Sequence, residues 1–194
     1  MKDKTTQGSK AKISTKEIHQ KSIPKSKVLL RFLGLFALLF IGFELCYFND
    51  FLYNHFFLAI NKSFAFLTAK SLTLLGIPSK SMADSIANEK FSITVKQGCD
   101  SMEALAIFVC GVMAFPSNLK VKLYGLLIGT FIIFGFNLIR LISLFWIGLN
   151  HHDLFDLFHL EIWQGFFIIL SIVLWVLWVL KASQPNKTIE HATT

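Results

Sequence analysis

Three side chains of types that could work together chemically stand out in this chain: Cys99, Arg140 and His159. A thiol of pKa ~8.5 is a poor nucleophile until a nearby cation lowers it. A histidine can take the thiol proton and return one to a leaving amine. An arginine, always charged, can stabilise the oxyanion of an acyl intermediate. Together they would perform acyl transfer through a cysteine thioester. Each also has a plainer reading. Arg140 lies within an apolar run, where an ionisable residue is costly and marks function, unless it snorkels to the outer headgroups. His159 near a helix start fits an interfacial or capping residue. Cys46 and Cys110 read as core packing, and three cysteines outside any CxxC or Cys/His metal spacing give neither a disulfide framework nor a zinc site.

The elements that must position these residues are membrane helices. Of the 194 residues 54% are hydrophobic and 16% charged, with 21 phenylalanines, against ~25% charged in an average soluble domain. The net charge of +7 would suit a nucleic-acid binder if it were spread over the chain. Residues 1–27 instead hold eight lysines against Asp3 and Glu17, a sum of +6, leaving about +1 for the rest. A basic tail on a nearly neutral apolar body suits an anionic membrane face rather than nucleic acid.

A span needs ~20 apolar residues. Four stretches approach this: residues 28–48, 101–115 (starting a turn earlier, near Gly98), 123–149 and 160–180. The first is too long for a signal h-region and lacks a cleavage site, so it reads as a retained span. Residues 51–77, apolar but broken by Asn54, Asn61, Lys62, Thr68 and Lys70, fit a helix lying in the interface. Residues 91–95 look like a short extended piece ahead of the cysteine. The expected fold is therefore an all-α polytopic integral membrane protein with about four transmembrane helices, an outer interfacial helix and a short extended segment. Its parts are a basic cytoplasmic tail (1–27), a transmembrane domain (28–180) and a cytoplasmic C-terminal tail (181–194).

Charge orients the spans. The loop at 116–122 carries Lys120 and Lys122, and Lys181 follows the last span, so these ends face the cytoplasm with both termini. The loop at 150–161 holds Asp153, Asp156 and Glu161 without Lys or Arg, and faces out. Cys99 lies 17 residues before Pro116 and Arg140 lies 17 residues after Leu123. At ~1.5 Å per helical residue both stand ~25 Å above the cytoplasmic loop, and His159 opens the last span at the same outer face.

Asn137, three residues before Arg140, shares its helical face and is placed to orient the guanidinium. Glu103, four residues after Cys99, either pairs with Arg140 or satisfies its own burial. His151 and His152 are rival imidazoles in the outer loop, with solvated surface as their plainer reading. No motif calls for a metal or cofactor.

The stretch 97–180 resembles the exosortase/archaeosortase family of membrane cysteine transpeptidases. The likeness rests on QGCDSMEALAIF around Cys99, AFPSNLKVKLYGLLIG, NLIRLISLFWIGL around Arg140 and FHLEIWQGFFIIL around His159. The Gly-Cys-x-x-x-Glu-Ala and His-Leu-x-x-Trp-Gln forms are similar to the exosortase H subfamily in particular. The resemblance implies Cys99 as nucleophile, completed by Arg140 and His159, at the outer face of the cytoplasmic (inner) membrane. It implies as partners exported proteins with a C-terminal signal: a short motif resembling IPTLxxWG, a membrane span and a basic tail. Cleavage would leave a thioester, resolved by an amine on a lipid or glycan acceptor of the envelope. Many family members carry Cys-Ser-Gly where this chain has Cys99-Asp100-Ser101, which leaves the nucleophile in place but sets the generic substrate motif apart.

Two other classes remain open from the residues. One is a non-enzymatic membrane assembly factor for envelope polysaccharide export, in which Arg140 and Glu103 form a structural pair. The other is an anion-handling transporter built on Arg140, against which stand the lack of repeats and of broken half-helices.

Overall fold

The computed structural model describes residues 25–184. Most of the basic segment 1–27 and of the segment 181–194 lies outside the described residues.

Helix α1 (Lys25–Tyr47) is followed by a short α2 (Asp50–Leu52), a π-helical turn (Tyr53–Phe57) and α3 (Leu58–Leu74). The chain redirects after α1 at Asn49, whose side chain accepts from Leu52 N at 3.1 Å, an N-cap that satisfies a donor the new helix leaves unpaired. Strands β1 (Lys80–Met82), β2 (Ser85–Ala87) and β3 (Ser92–Thr94) then form an antiparallel meander. Next come α4 (Met102–Ala114), α5 (Leu119–Asn150), a 3-10 turn (His152–Leu154), a π-helical turn (Leu157–Ile162) and α6 (Trp163–Ala182).

The protein is mostly helical, and three helical stretches are long and apolar enough to cross a membrane: Ser26–Tyr47, Leu119–Asn150 and His152–Ala182. The sequence reading expects four. The expected second span corresponds to the 13-residue α4, ~20 Å long against ~30 Å of hydrocarbon. A helical start near Gly98 does not form. Gly98 and Ser101 have φ of 85° and 60°, left-handed values that interrupt a right-handed helix, so α4 begins only at Met102.

Side-chain contacts fix the direction of each helix. Ser171 on α6 donates to Ala104 O on α4 at 2.8 Å, and further along Phe115 meets Trp178 edge-on at 5.8 Å, so α4 and α6 run the same way. On α5, Gly125 lies against Trp178 and Gly129 against Phe108, so closely that a methyl group at either would collide with the ring. These small residues let the helices approach, as in membrane bundles generally. Phe32 near the start of α1 stacks on Trp175 at 5.5 Å, while Tyr47 at its end reaches Asp100. Thus α1 and α5 run in one direction and α4 and α6 in the other. The end of α1, the starts of α4 and α6 and the Arg140 region of α5 gather at one end.

Within residues 51–77, expected as an interfacial helix, α3 packs on α5 and the sheet. Its buried positions Asn61, Phe64, Ala65, Thr68, Ala69 and Leu72 follow the 3.6-residue period. Phe64, Ala65, Ala69 and Leu72 share a core with Leu141 and Phe145 of α5 and with Ile86 and Val95. The expected extended piece at 91–95 contains β3, here the third strand of a sheet whose other two strands carry no comparable sequence signal.

Candidate active site

Cys99 sits on a tight turn rather than on a helix. Its N–H donates to Lys96 O at 2.9 Å, and the positive φ of Gly98 permits that turn, since a glycine adopts it without steric cost. The residues on either side are tethered to α1. The Gln97 side chain donates to Tyr47 O at 3.0 Å, and Tyr47 Oη donates to Asp100 Oδ2 at 2.7 Å. The other Asp100 oxygen accepts from Met102 N at 3.1 Å. The cysteine is therefore fixed from both flanks before any partner is considered.

The partners then converge. His159 Nε2 lies 2.7 Å from Cys99 Sγ. It is carried on the π-helical turn Leu157–Ile162, a feature that recurs at functional positions within helices. Arg140 is 1% exposed. Its Nη2 donates to Cys99 Sγ at 3.8 Å and to His159 O at 3.3 Å, and its Nη1 donates to Gly98 O at 3.2 Å. The guanidinium also lies 5.5 Å from the centre of the Phe167 ring, an attractive cation–π arrangement. None of its hydrogen-bond partners is a carboxylate, so its charge is held by dipoles and stays available to an anion forming near the thiol.

Electrostatics set the resting state of the thiol. Burial pushes Cys99 above the usual thiol range, and the Arg140 guanidinium pulls it back only in part, with Asp100 adding to the upward push. The balance favours the protonated form of the thiol, which stands 2.7 Å from an imidazole nitrogen. Asp100 is itself pushed above the usual carboxylate range by burial, against the lowering effect of its bonds from Tyr47 and Met102.

The two supporting residues fare differently from their sequence reading. Asn137 is fully buried on the Arg140 helix, but neither of its amide atoms has a hydrogen-bond partner among the described residues, so it makes no hydrogen bond to the guanidinium. Glu103 does not bond to Arg140 either. It accepts from Gln164 Nε2 at 3.1 Å, joining the start of α4 to α6. Both Glu103 and Arg140 nevertheless line one small cavity of about 110 Å³, with Glu44, Asp100 and Gln164. Cys46 is exposed and Cys110 buried, both free thiols outside the cluster.

The residues that sequence reasoning passed over are Tyr47, Gln97, Gly98, Asp100 and Phe155. Gly98 and Asp100 flank the cysteine and were visible as neighbours. Tyr47 lies 53 residues away and carries no local sign of its role. Phe155 stacks on His159 with ring centres 5.4 Å apart. No family model, curated protein or solved structure matches this chain.

Proposed function

We propose that this chain is a membrane-embedded cysteine transpeptidase or protease that cleaves C-terminal sorting signals of exported proteins. The observation that carries the reading is the 2.7 Å approach of His159 Nε2 to Cys99 Sγ, with the Arg140 guanidinium beside the same sulfur. Three residue types suited to acyl transfer meet there, the half-buried His159 with the buried Cys99 and Arg140, drawn from three separate segments.

In the first half-reaction His159 takes the Cys99 proton and the sulfur attacks the scissile carbonyl. Arg140 stabilises the resulting oxyanion, a contribution of on the order of 10²–10³ in rate for one such donor. The imidazolium returns its proton to the departing amine, leaving a thioester on Cys99. An acceptor amine of a lipid or glycan then attacks; His159 takes its proton and gives it to the leaving sulfur, which restores the thiol.

In the reading we favour, the protein is multi-pass in the cytoplasmic membrane with both termini inside and the site near the outer face. The antiparallel order of α1, α4, α5 and α6 supports four crossings, with the turn at 98–101 standing outside the spans, at the outer end of α4. A substrate held by its own span diffuses in the same plane and brings its scissile bond to the height of the thiol.

The test is co-expression with an exported reporter ending in an IPTLxxWG-type motif, a span and a basic tail. Processing by the native chain and not by Cys99→Ala is the expected result. An intact reporter with both, in membranes where the protein is folded and where the host's own exported proteins are also unprocessed, overturns the reading.

A further inference from the structure

The meander leading into Cys99 has an open edge. In an antiparallel pair, alternate residues exchange main-chain hydrogen bonds with the partner strand while those between direct theirs to the other side. Here Asn88 N donates to Phe91 O at 2.9 Å and Val95 N donates to Asp84 O at 2.9 Å, with Ile86 opposite Ile93. Residues 91, 93 and 95 thus bond inward. The N–H and C=O groups of Ser92 and Thr94 are directed to the far edge, where the sheet order β1-β2-β3 has no further strand among the described residues. Both side chains are exposed. The strand is short and has the exposed Lys90 and Lys96 beside it, devices that keep an edge from pairing indiscriminately, while β3 itself, Ser-Ile-Thr, carries neither proline nor charge.

Both ends of β3 are tied to the reacting groups. Downstream, Val95 O accepts from Asn61 Nδ2 at 3.2 Å, and the turn from Lys96 to Cys99 carries the strand into the thiol. Upstream, Phe91 meets Phe155 edge-on at 5.8 Å, and Phe155 is the residue stacked on His159. The open edge, the thiol and the imidazole therefore belong to one braced rim.

We infer that β3 is the docking edge for substrate: an extended peptide segment, lying just ahead of a substrate's membrane span, pairs with Ser92 and Thr94 as a fourth strand and presents its scissile bond to Cys99. This rests on the acyl-transfer reading and adds how the substrate is held. Main-chain pairing supplies affinity whatever the side chains, while alternate side chains supply selectivity. The occupant must be unfolded at that segment and must carry free N–H groups at alternate positions.

The test uses the full chain in lipid nanodiscs and synthetic reporters with motif, span and basic tail, each N-methylated at one position of the extended segment. Acylation of Cys99 should fall tenfold or more at alternate positions and stay within twofold at those between. On the protein side, Thr94→Pro removes one edge donor while sparing the inward bonds, and should lower acylation tenfold or more; Thr94→Ala, which keeps the N–H, should not. Iodoacetamide labelling of Cys99 in a Cys46→Ala background, equal in both variants, shows an intact site; if Thr94→Pro misfolds, the N-methyl scan decides alone. Equal sensitivity at every position, or none, overturns the strand pairing and leaves the enzyme reading standing. A native chain that no unmethylated reporter acylates overturns the enzyme reading, and the docking edge with it.

Discussion

Tyr47, the last residue of α1, donates a 2.7 Å hydrogen bond to Asp100, the residue next to the cysteine and 53 positions later in the chain. Both are fully buried. Removing the hydroxyl with Tyr47→Phe leaves a buried carboxyl oxygen without its partner, at a cost of about 1–3 kcal/mol. The variant should melt several degrees lower in detergent and acylate more slowly, since the turn carrying Cys99 loses a tether. An unchanged melting temperature would show that the bond is not holding the turn.

The same carboxyl makes stability depend on pH. Burial raises Asp100 above its ordinary value, so the folded chain binds this proton more tightly than the unfolded one. Its contribution is fully present below the ordinary carboxylate pKa of ~3.9 and is lost as pH rises through the raised folded value. Asp100→Asn, which stays neutral, should flatten the decline of melting temperature over that window. An equal slope in both proteins would remove Asp100 as the source.

Thiol reactivity should follow the raised Cys99 value. In a Cys46→Ala background, iodoacetamide labelling should keep increasing above pH ~8.5 rather than level off near neutrality as a preformed thiolate would. Arg140→Gln removes the guanidinium that pulls the thiol down, and should slow labelling at a fixed pH of 8 by lowering the thiolate fraction. Faster labelling in Arg140→Gln would contradict the electrostatic account.

Gly148 gives a test of the brace behind His159. A methyl at this position would collide with the Phe91 ring, which packs on Phe155 and through it on His159. Gly148→Ala should destabilise by about 1–3 kcal/mol, as overpacking does, and should also lower acylation at temperatures where the protein is fully folded. Loss of stability alone, with acylation intact, would separate the aromatic chain from the imidazole.

Asn137 supplies the opposite case. Its amide is buried and unpaired among the described residues, so an apolar replacement relieves a desolvation cost of ~1–3 kcal/mol on the protein mutational scale. Asn137→Leu should match or exceed the native melting temperature and leave the labelling rate of Cys99 unchanged. A drop in both would restore a role in positioning Arg140.

The amino-acid sequence by itself determined the membrane-helical character, the segments that become α1, α5 and α6, and the three residue types suited to acyl transfer. Hydropathy, loop charge and side-chain chemistry are local properties, and a run of apolar residues forms a helix largely whatever it later touches. The turn at Cys99 is not legible in that way, because the apolar run that follows predicts helix through residues 99–101, where the positive φ of Gly98 and Ser101 sets a turn instead. Cys99 and Arg140 meet all the same, since the turn keeps the cysteine at the head of α4 beside α5. Tertiary structure alone decided which polar side chains found partners. Glu103 took Gln164 and not Arg140, and Asn137 took none among the described residues, because helical phase puts two residues on one face without setting the distance to a third element. It also decided the tether from Tyr47, the packing of α3 on α5 and the open edge of β3, each of which depends on contacts between segments tens of residues apart.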